Sequence, residues 1–207
     1  MANHLDSGRR RARRLLRSRI SRLLLASGSF VFAAGSFPCI AVAQPALVLV
    51  VRHAEKADNS NDPGLSAAGT ARAEAIAEAL SNASVDHVIV TQRQRTRLTA
   101  APLLTARGLQ PELIGFGADM AAHVAEIAAA VRKQTGKVVL VVGHSNTVPA
   151  IVHALGGPKL PDLCDARYAA LFAVVPGAEG TSARVVVSSV GVADPLGAER
   201  CAGMVPR

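Results

Sequence analysis

The chain has 207 residues, half of them apolar and 3% aromatic, which suits one domain with a core of alanine, valine and leucine. All but one unit of its formal charge of +8 comes from residues 1–43, which hold eight arginines and one acid. Subtracting these from the 23 basic and 15 acidic residues leaves 15 and 14 for the remainder. Because basic and acidic residues nearly cancel after residue 43, we expect no basic face there, which argues against nucleic acid as a partner.

Residues 1–43 have the pattern of a secretory signal peptide. An arginine-rich start precedes an apolar stretch over about 23–34, and Ala41-Val42-Ala43 is a suitable cleavage site. We expect cleavage before Gln44, which leaves 44–207 as one mature domain in the periplasm or outside the cell. An uncleaved membrane anchor is the alternative, but the apolar run is shorter than the roughly 20 residues of a span.

The first strand of the mature chain ends in an arginine–histidine pair. Residues 47–51 are a run of branched apolar residues, which predicts a buried strand, and Arg52 and His53 follow it directly. Ligands of open α/β sheets bind at this end of the strands. Arginine offers paired donors to phosphate, and its charge favours the neutral, nucleophilic imidazole. Taken alone, the pair also fits a solvated strand end.

The chain after this strand alternates helices with strands, which predicts an α/β fold with a mostly parallel sheet. Within the helices we expect Arg72 and His123 to face solvent, and we assign His87, at the start of a strand, a structural role. The predicted helices cover about 66–80, a segment from about residue 92, 119–133 and 147–155. The predicted strands cover 86–91, a short strand within 111–117, 137–142, and a hairpin of 168–175 with 183–190.

A second histidine follows the strand at 137–142, in the segment Gly143-His144-Ser145. Its strand-end position matches that of His53, so both imidazoles are expected at one sheet edge. The second helix carries three alternating arginines, Arg93, Arg95 and Arg97. Residues two apart do not share a helix face, so one of the three is expected at the edge, and the spacing does not say which.

Four motifs in this order resemble the histidine phosphatase superfamily, also called phosphoglycerate mutase-like. The resemblance runs from about Leu47 to Leu171. The motifs are Val51-Arg52-His53-Ala54-Glu55-Lys56, Leu65-Ser66-Ala67-Ala68-Gly69, the segment from Arg95 to Pro102 (RTRLTAAP), and Gly143-His144-Ser145-Asn146-Thr147.

The resemblance implies a three-layer α/β/α sandwich and a phosphomonoesterase that needs no metal and no cofactor. It makes His53 the nucleophile that accepts the phosphoryl group of a small phosphorylated substrate. Arg52, Arg95 and His144 complete the phosphate pocket, so the resemblance selects Arg95 from the three helical arginines. One departure concerns the proton donor, because Ser145 stands where some members have an aspartate. Glu112 and Asp119 are the candidate donors, with Asp119 ahead by position.

The same residues also admit three other functions. A serine hydrolase with Ser145 as nucleophile is disfavoured because position 147 is Thr where the G-x-S-x-G elbow needs glycine. A non-catalytic anion-binding protein and a mutase of the same fold remain open. In the mature chain Cys164 and Cys201 either pair or remain thiols, and sequence alone does not decide between these states.

Overall fold

The computed structural model describes residues 44–177 and 181–198. The predicted signal peptide, its cleavage site and Cys201 lie outside these residues. Ten elements follow in chain order: β1 Leu47–Arg52, α1 Ala67–Ala79, β2 Val85–Val90, α2 Gln94–Arg107, β3 Glu112–Leu113, α3 Met120–Arg132, β4 Val138–Gly143, α4 Thr147–Ala154, β5 Ala170–Val175 and β6 Arg184–Ser189.

The strands form one six-stranded sheet in the order β3-β2-β4-β1-β5-β6. The first four in this order run parallel, whereas β5 is antiparallel to β1 and β6 is antiparallel to β5. The prediction of a mostly parallel sheet with a terminal hairpin is confirmed.

Alternate residues of the central strands enter two separate cores, as the two-residue period of a strand requires. On one face Val48 and Val50 of β1 pack in a cluster with Ile127 of α3 and Ile151 of α4. On the other face Leu49, with Val51, belongs to a cluster that contains α1 and α2 residues. The sheet is therefore covered by helices on both faces, which confirms the three-layer arrangement.

Local sequence explains where the helices begin and how closely they pack. Ser66 caps α1, because its hydroxyl accepts from the N–H of Gly69 at 3.1 Å. A Cβ on Gly69 would lie 2.2 Å from the carbonyl oxygen of Glu55, so the helix can approach the loop after β1 only with glycine there. No helix in the described part of the chain combines the length and the apolar character needed to cross a bilayer.

Candidate active site

The register of two neighbouring strands brings His53 and His144 together. β1 and β4 are parallel, with Arg52 opposite Gly143, and the N–H of His53 donates to the carbonyl of Gly143 at 2.9 Å. The next residue of each strand is a histidine, and adjacent strands lie about 4.8 Å apart. The two rings are accordingly in contact, with centroids 5.2 Å apart and planes at 61°. The expectation that both imidazoles share one sheet edge agrees with this geometry.

The His53 ring is held as a neutral imidazole with a defined tautomer. Its Nδ1 lies 2.8 Å from the carbonyl oxygen of Ala54, which can only accept, so Nδ1 carries the hydrogen and Nε2 carries the lone pair. Burial, together with the charges of Arg52 and Arg95, lowers the pKa of His53 to about 4 against the opposing hydrogen bond to Ala54. At neutral pH the side chain is therefore a base with its Nε2 unprotonated.

His144 is neutral for the same reason and has the opposite tautomer. The Arg95 guanidinium donates to its Nδ1 at 3.3 Å, which leaves the hydrogen on Nε2 to reach the hydroxyl of Thr91 at 3.1 Å. Burial, followed by the neighbouring His53 and Arg95, lowers the pKa of His144 to about 3. An anion beside the ring would favour the protonated form.

Arg52 is a buried guanidinium fixed by a distant loop. Its Nη1 lies within hydrogen-bonding distance of three carbonyl oxygens of the loop before β5, and its Nη2 donates to the hydroxyl of Tyr168 at 3.3 Å. The carbonyls are those of Cys164 at 2.9 Å, Asp165 at 3.1 Å and Arg167 at 3.1 Å. Its Nε is buried and has no partner among the described residues. The edge formed by Nε and Nη2 can therefore still donate hydrogen bonds to an oxyanion.

The three arginines of the second helix have three different environments. Arg95 contacts His144, as given above, and its Nη1 lies 3.8 Å from a carboxylate oxygen of Asp62. Arg93 occupies the N-cap position of the helix without a side-chain capping bond, and its guanidinium lies 5.6 Å from the centre of the Phe116 ring. Arg97 is exposed to solvent. The side chain that meets the histidine pair is thus the one that the resemblance selected.

The loop after β1 is tied to the segment after β6 by an ion pair of buried Arg72 with half-buried Glu55. Arg72 donates to both carboxylate oxygens of Glu55, at 2.7–3.0 Å, and to the carbonyls of Val190 and Val192 at 2.8 and 2.9 Å. Partial burial opposes ionisation of Glu55, but the hydrogen bonds from Arg72 lower its pKa overall. The prediction that Arg72 faces solvent was wrong, because its side chain is 5% exposed.

The histidine of the third helix also differs from its prediction. His123 was expected at the surface, yet it is fully buried and its Nδ1 donates to the carbonyl of Gly115 at 2.8 Å. Its ring packs against Phe116, with centroids 4.8 Å apart, and Phe116 in turn contacts His144 at 5.4 Å. His123 therefore supports one wall of the site from behind.

Each of the two candidate proton donors has another partner. The carboxylate of Glu112 accepts from His87 at 2.6 Å on the partner strand, in keeping with the structural role assigned to His87. Asp119 is exposed and caps α3 by accepting from the N–H of Ala122 at 2.8 Å. None of the described contacts brings either acid to His53, and their proposed role stays a prediction. Ser145 has no hydrogen bond to a histidine within the described residues, so a serine triad gains no support.

Two further residues of the site were not singled out from the sequence. The ring of Tyr168 lies 6.2 Å from that of His53, and the Arg52 guanidinium carbon lies 4.0 Å from its centre. Thr99 accepts from the N–H of Ala54 at 2.9 Å and donates to the carbonyl of Arg95 at 2.6 Å. The threonine of the arginine helix motif was the available signal for Thr99, whereas the single tyrosine carried none.

Part of the chain that contains His53 and Arg95 matches a known protein family. The sequence model of the histidine phosphatase superfamily (branch 1) matches residues 48–115. No curated protein sequence matches the chain. Within residues 44–177 and 181–198, no three histidine, cysteine, aspartate or glutamate side chains are grouped so that they could hold a metal ion.

Three solved structures share the fold at low sequence identity. The protein histidine phosphatase SixA complexed with tungstate is 19% identical with a TM-score of 0.54, and the match covers 69% of this chain and 96% of that one. A mycobacterial glucosyl-3-phosphoglycerate phosphatase complexed with VO3 is 17% identical with a TM-score of 0.55, covering 70% and 99%. A protein named mycobacterial hydrolase 2 is 21% identical with a TM-score of 0.52, covering 72% and 94%.

Proposed function

We propose that this chain, whose residues 48–115 match the sequence model of the histidine phosphatase superfamily, hydrolyses small phosphomonoesters through a phosphoryl group carried by His53. The observation that carries this proposal is the contact of the His53 and His144 rings at 5.2 Å, beside the Arg95 guanidinium. Two neutral imidazoles next to two arginines form a site for an anion that reacts with a nitrogen nucleophile.

The substrate phosphate binds first to the guanidinium groups. The Nε–Nη2 edge of Arg52 presents two parallel donors, which match two oxygens of a phosphoryl group. Arg95 turns its Nη2 from the Nδ1 of His144 to a phosphate oxygen. The anion then favours protonation of His144, whose charge adds to those of the arginines.

His53 Nε2 then attacks phosphorus in line with the leaving oxygen. The hydrogen bond from Nδ1 to Ala54 O keeps the lone pair on Nε2 and orients the ring. Phosphoryl transfer depends mostly on positioning and on neutralising charge spread over three oxygens, which Arg52, Arg95 and His144 supply. Water hydrolyses the phosphohistidine in the second step. The reaction needs no metal ion in this proposal.

Hydrolysis of p-nitrophenyl phosphate by matched variants tests the proposal. We expect His53→Asn to be inactive and Arg95→Gln to lose on the order of 10²–10³ in kcat, the cost of removing one such donor. His153→Asn and the exposed Arg97→Gln make the same chemical changes elsewhere and should retain wild-type turnover. Full turnover by His53→Asn would refute the proposal. Phosphate binding without turnover by the wild type would favour the anion-binding alternative.

We also propose that the protein is exported and cleaved before Gln44. The support is the sequence pattern of residues 1–43 alone. The N-terminal sequence of the protein recovered from a periplasmic fraction should begin at Gln44. A protein that keeps Met1 or Ala2 would contradict cleavage.

A further inference from the structure

Tyr168 reaches the site because of the antiparallel strand beside β1. In the register of β5 with β1, Leu171 is opposite Val51, so the residues just before β5 lie beside Arg52 and His53. The carboxylate of Asp194 accepts from the N–H groups of Tyr168 and Ala169 at 2.8 and 2.9 Å, which fixes the backbone at this point. The phenol is therefore held at the pocket by strand pairing and by two further hydrogen bonds.

The hydroxyl of Tyr168 has a proton to give. It accepts from the Nη2 of Arg52 at 3.3 Å, since a guanidinium can only donate. Among the described residues no acceptor takes the phenolic hydrogen. A phenol can donate this hydrogen, and a guanidinium alongside stabilises the phenolate that forms when the proton leaves.

The carboxylates around the pocket either have other partners or are exposed to solvent. Glu55 is bound by Arg72 through both oxygens. Asp62 accepts from the N–H of Gln94 at 3.0 Å and faces Arg95. The Asp165 side chain is 98% exposed and lies 3.9 Å from Arg52. These carboxylates thus face an arginine or the solvent, whereas the phenolic oxygen of Tyr168 lies directly against the Nη2 of Arg52.

We propose that Tyr168 is the general acid that protonates the leaving group, an inference that rests on the proposed function. As the bond from His53 Nε2 to phosphorus forms, the bond from phosphorus to the ester oxygen breaks. That oxygen takes the phenolic proton and departs as an alcohol, leaving a phenolate beside Arg52. In the second step water attacks phosphorus, the N–P bond breaks, and the proton of the water restores the phenol. Inorganic phosphate and neutral His53 remain.

Leaving-group dependence distinguishes an acid from a residue that only positions Arg52. Tyr168→Phe keeps the ring over the guanidinium and removes the hydroxyl. The ratio of kcat/KM for p-nitrophenyl phosphate to that for ethyl phosphate should rise on the order of 10²-fold in this variant, because only the alkoxide needs a proton. Equal losses on both esters would overturn the proposal in favour of positioning. A rise of the ratio in Asp165→Asn or Asp62→Asn, and not in Tyr168→Phe, would assign the role to a carboxylate.

A second measurement tests the proposal if the Tyr168→Phe variant fails to fold. The chain has one tyrosine, so biosynthetic replacement of tyrosine by 3-fluorotyrosine alters this position alone. With ethyl phosphate as substrate, the alkaline limb of kcat/KM should move to lower pH with the more acidic phenol. An unmoved limb would overturn the proposal. A wild-type enzyme that hydrolyses both esters with no dependence on Tyr168 refutes this inference alone, whereas one that hydrolyses neither refutes the proposed function with it.

Discussion

Substitution of Thr99 by valine tests how the two halves of the candidate site are joined. The Thr99 hydroxyl accepts from the N–H of Ala54, and it donates to the carbonyl of Arg95. Ala54 is fully buried, and its own carbonyl oxygen orients the His53 ring. One hydroxyl thus links the segment of His53, the proposed nucleophile, to the segment of Arg95, the proposed phosphate ligand. Valine has nearly the same shape but offers neither the acceptor nor the donor.

The expected cost follows from the group that loses its partner. A buried N–H left unsatisfied costs about 1–3 kcal/mol in the free energy of unfolding. For a domain of this size each kcal/mol shifts Tm by about 2–4 °C, which gives a fall of roughly 2–12 °C. Displacement of a catalytic group by about 1 Å can cost on the order of 10²-fold in rate, and we expect kcat to fall between 10-fold and that value.

Thermal unfolding and hydrolysis of p-nitrophenyl phosphate measure the two effects. Thr99→Ser keeps the hydroxyl and should recover most of kcat. Thr105→Val makes the same change at an exposed position of the same helix, and we expect its effect to stay within about 0.5 kcal/mol. If Thr99→Val matches the wild type in both Tm and kcat, the hydroxyl does not join the site in the way described.

Three further predictions concern stability and metal ions. Because His53 and His144 take up protons near pH 6.5 when unfolded but only near pH 4 and 3 when folded, stability is fully present above pH 6.5 and falls as pH drops below it. Urea melts should show a loss of up to about 2 kcal/mol per histidine from pH 7 to 5, smaller in His53→Asn, and no loss would contradict the burial argument. Arg72→Met removes the partner of the half-buried Glu55 carboxylate and should cost on the order of 2 kcal/mol in the same melts, whereas the exposed Glu78→Gln on the same helix should cost under about 0.5 kcal/mol. Prior treatment with EDTA should leave phosphatase activity unchanged, since side chains of the protein neutralise the phosphate; activity restored only by an added metal would contradict this.

The sheet and the edge that carries the candidate site were predictable because they depend on local patterns. Continuous apolar runs predicted β1 and β4, and a polar residue directly after a buried strand has one edge of the sheet on which to lie. The choice of Arg95 among three alternating arginines needed the resemblance, because helical spacing excludes a shared face without saying which residue faces the site.

The errors come from partners that are distant in sequence. Arg72 looks like a solvated helix residue until Glu55 and the carbonyls after β6 are seen around it. His123 is buried, and its Nδ1 finds a partner in the carbonyl of Gly115, eight residues earlier in the chain. Tyr168 joins the site through the antiparallel register of β5 with β1, which no local pattern specifies. Cys164 is disulfide-bonded, so it is not a free thiol. Cys201, the other cysteine of the pair considered from the sequence, lies outside the described residues.

The isomer of the trapped phosphohistidine is the most direct test of the account. Rapid quenching in base during turnover, followed by peptide mass spectrometry and phosphorus NMR, locates the phosphoryl group and the nitrogen that carries it. Since the Nδ1 of His53 donates to Ala54, the phosphoryl group should be on Nε2 of His53 and should be absent from His53→Asn. A phosphoryl group on His144, on the Nδ1 of His53, or on no histidine during active turnover would contradict the account.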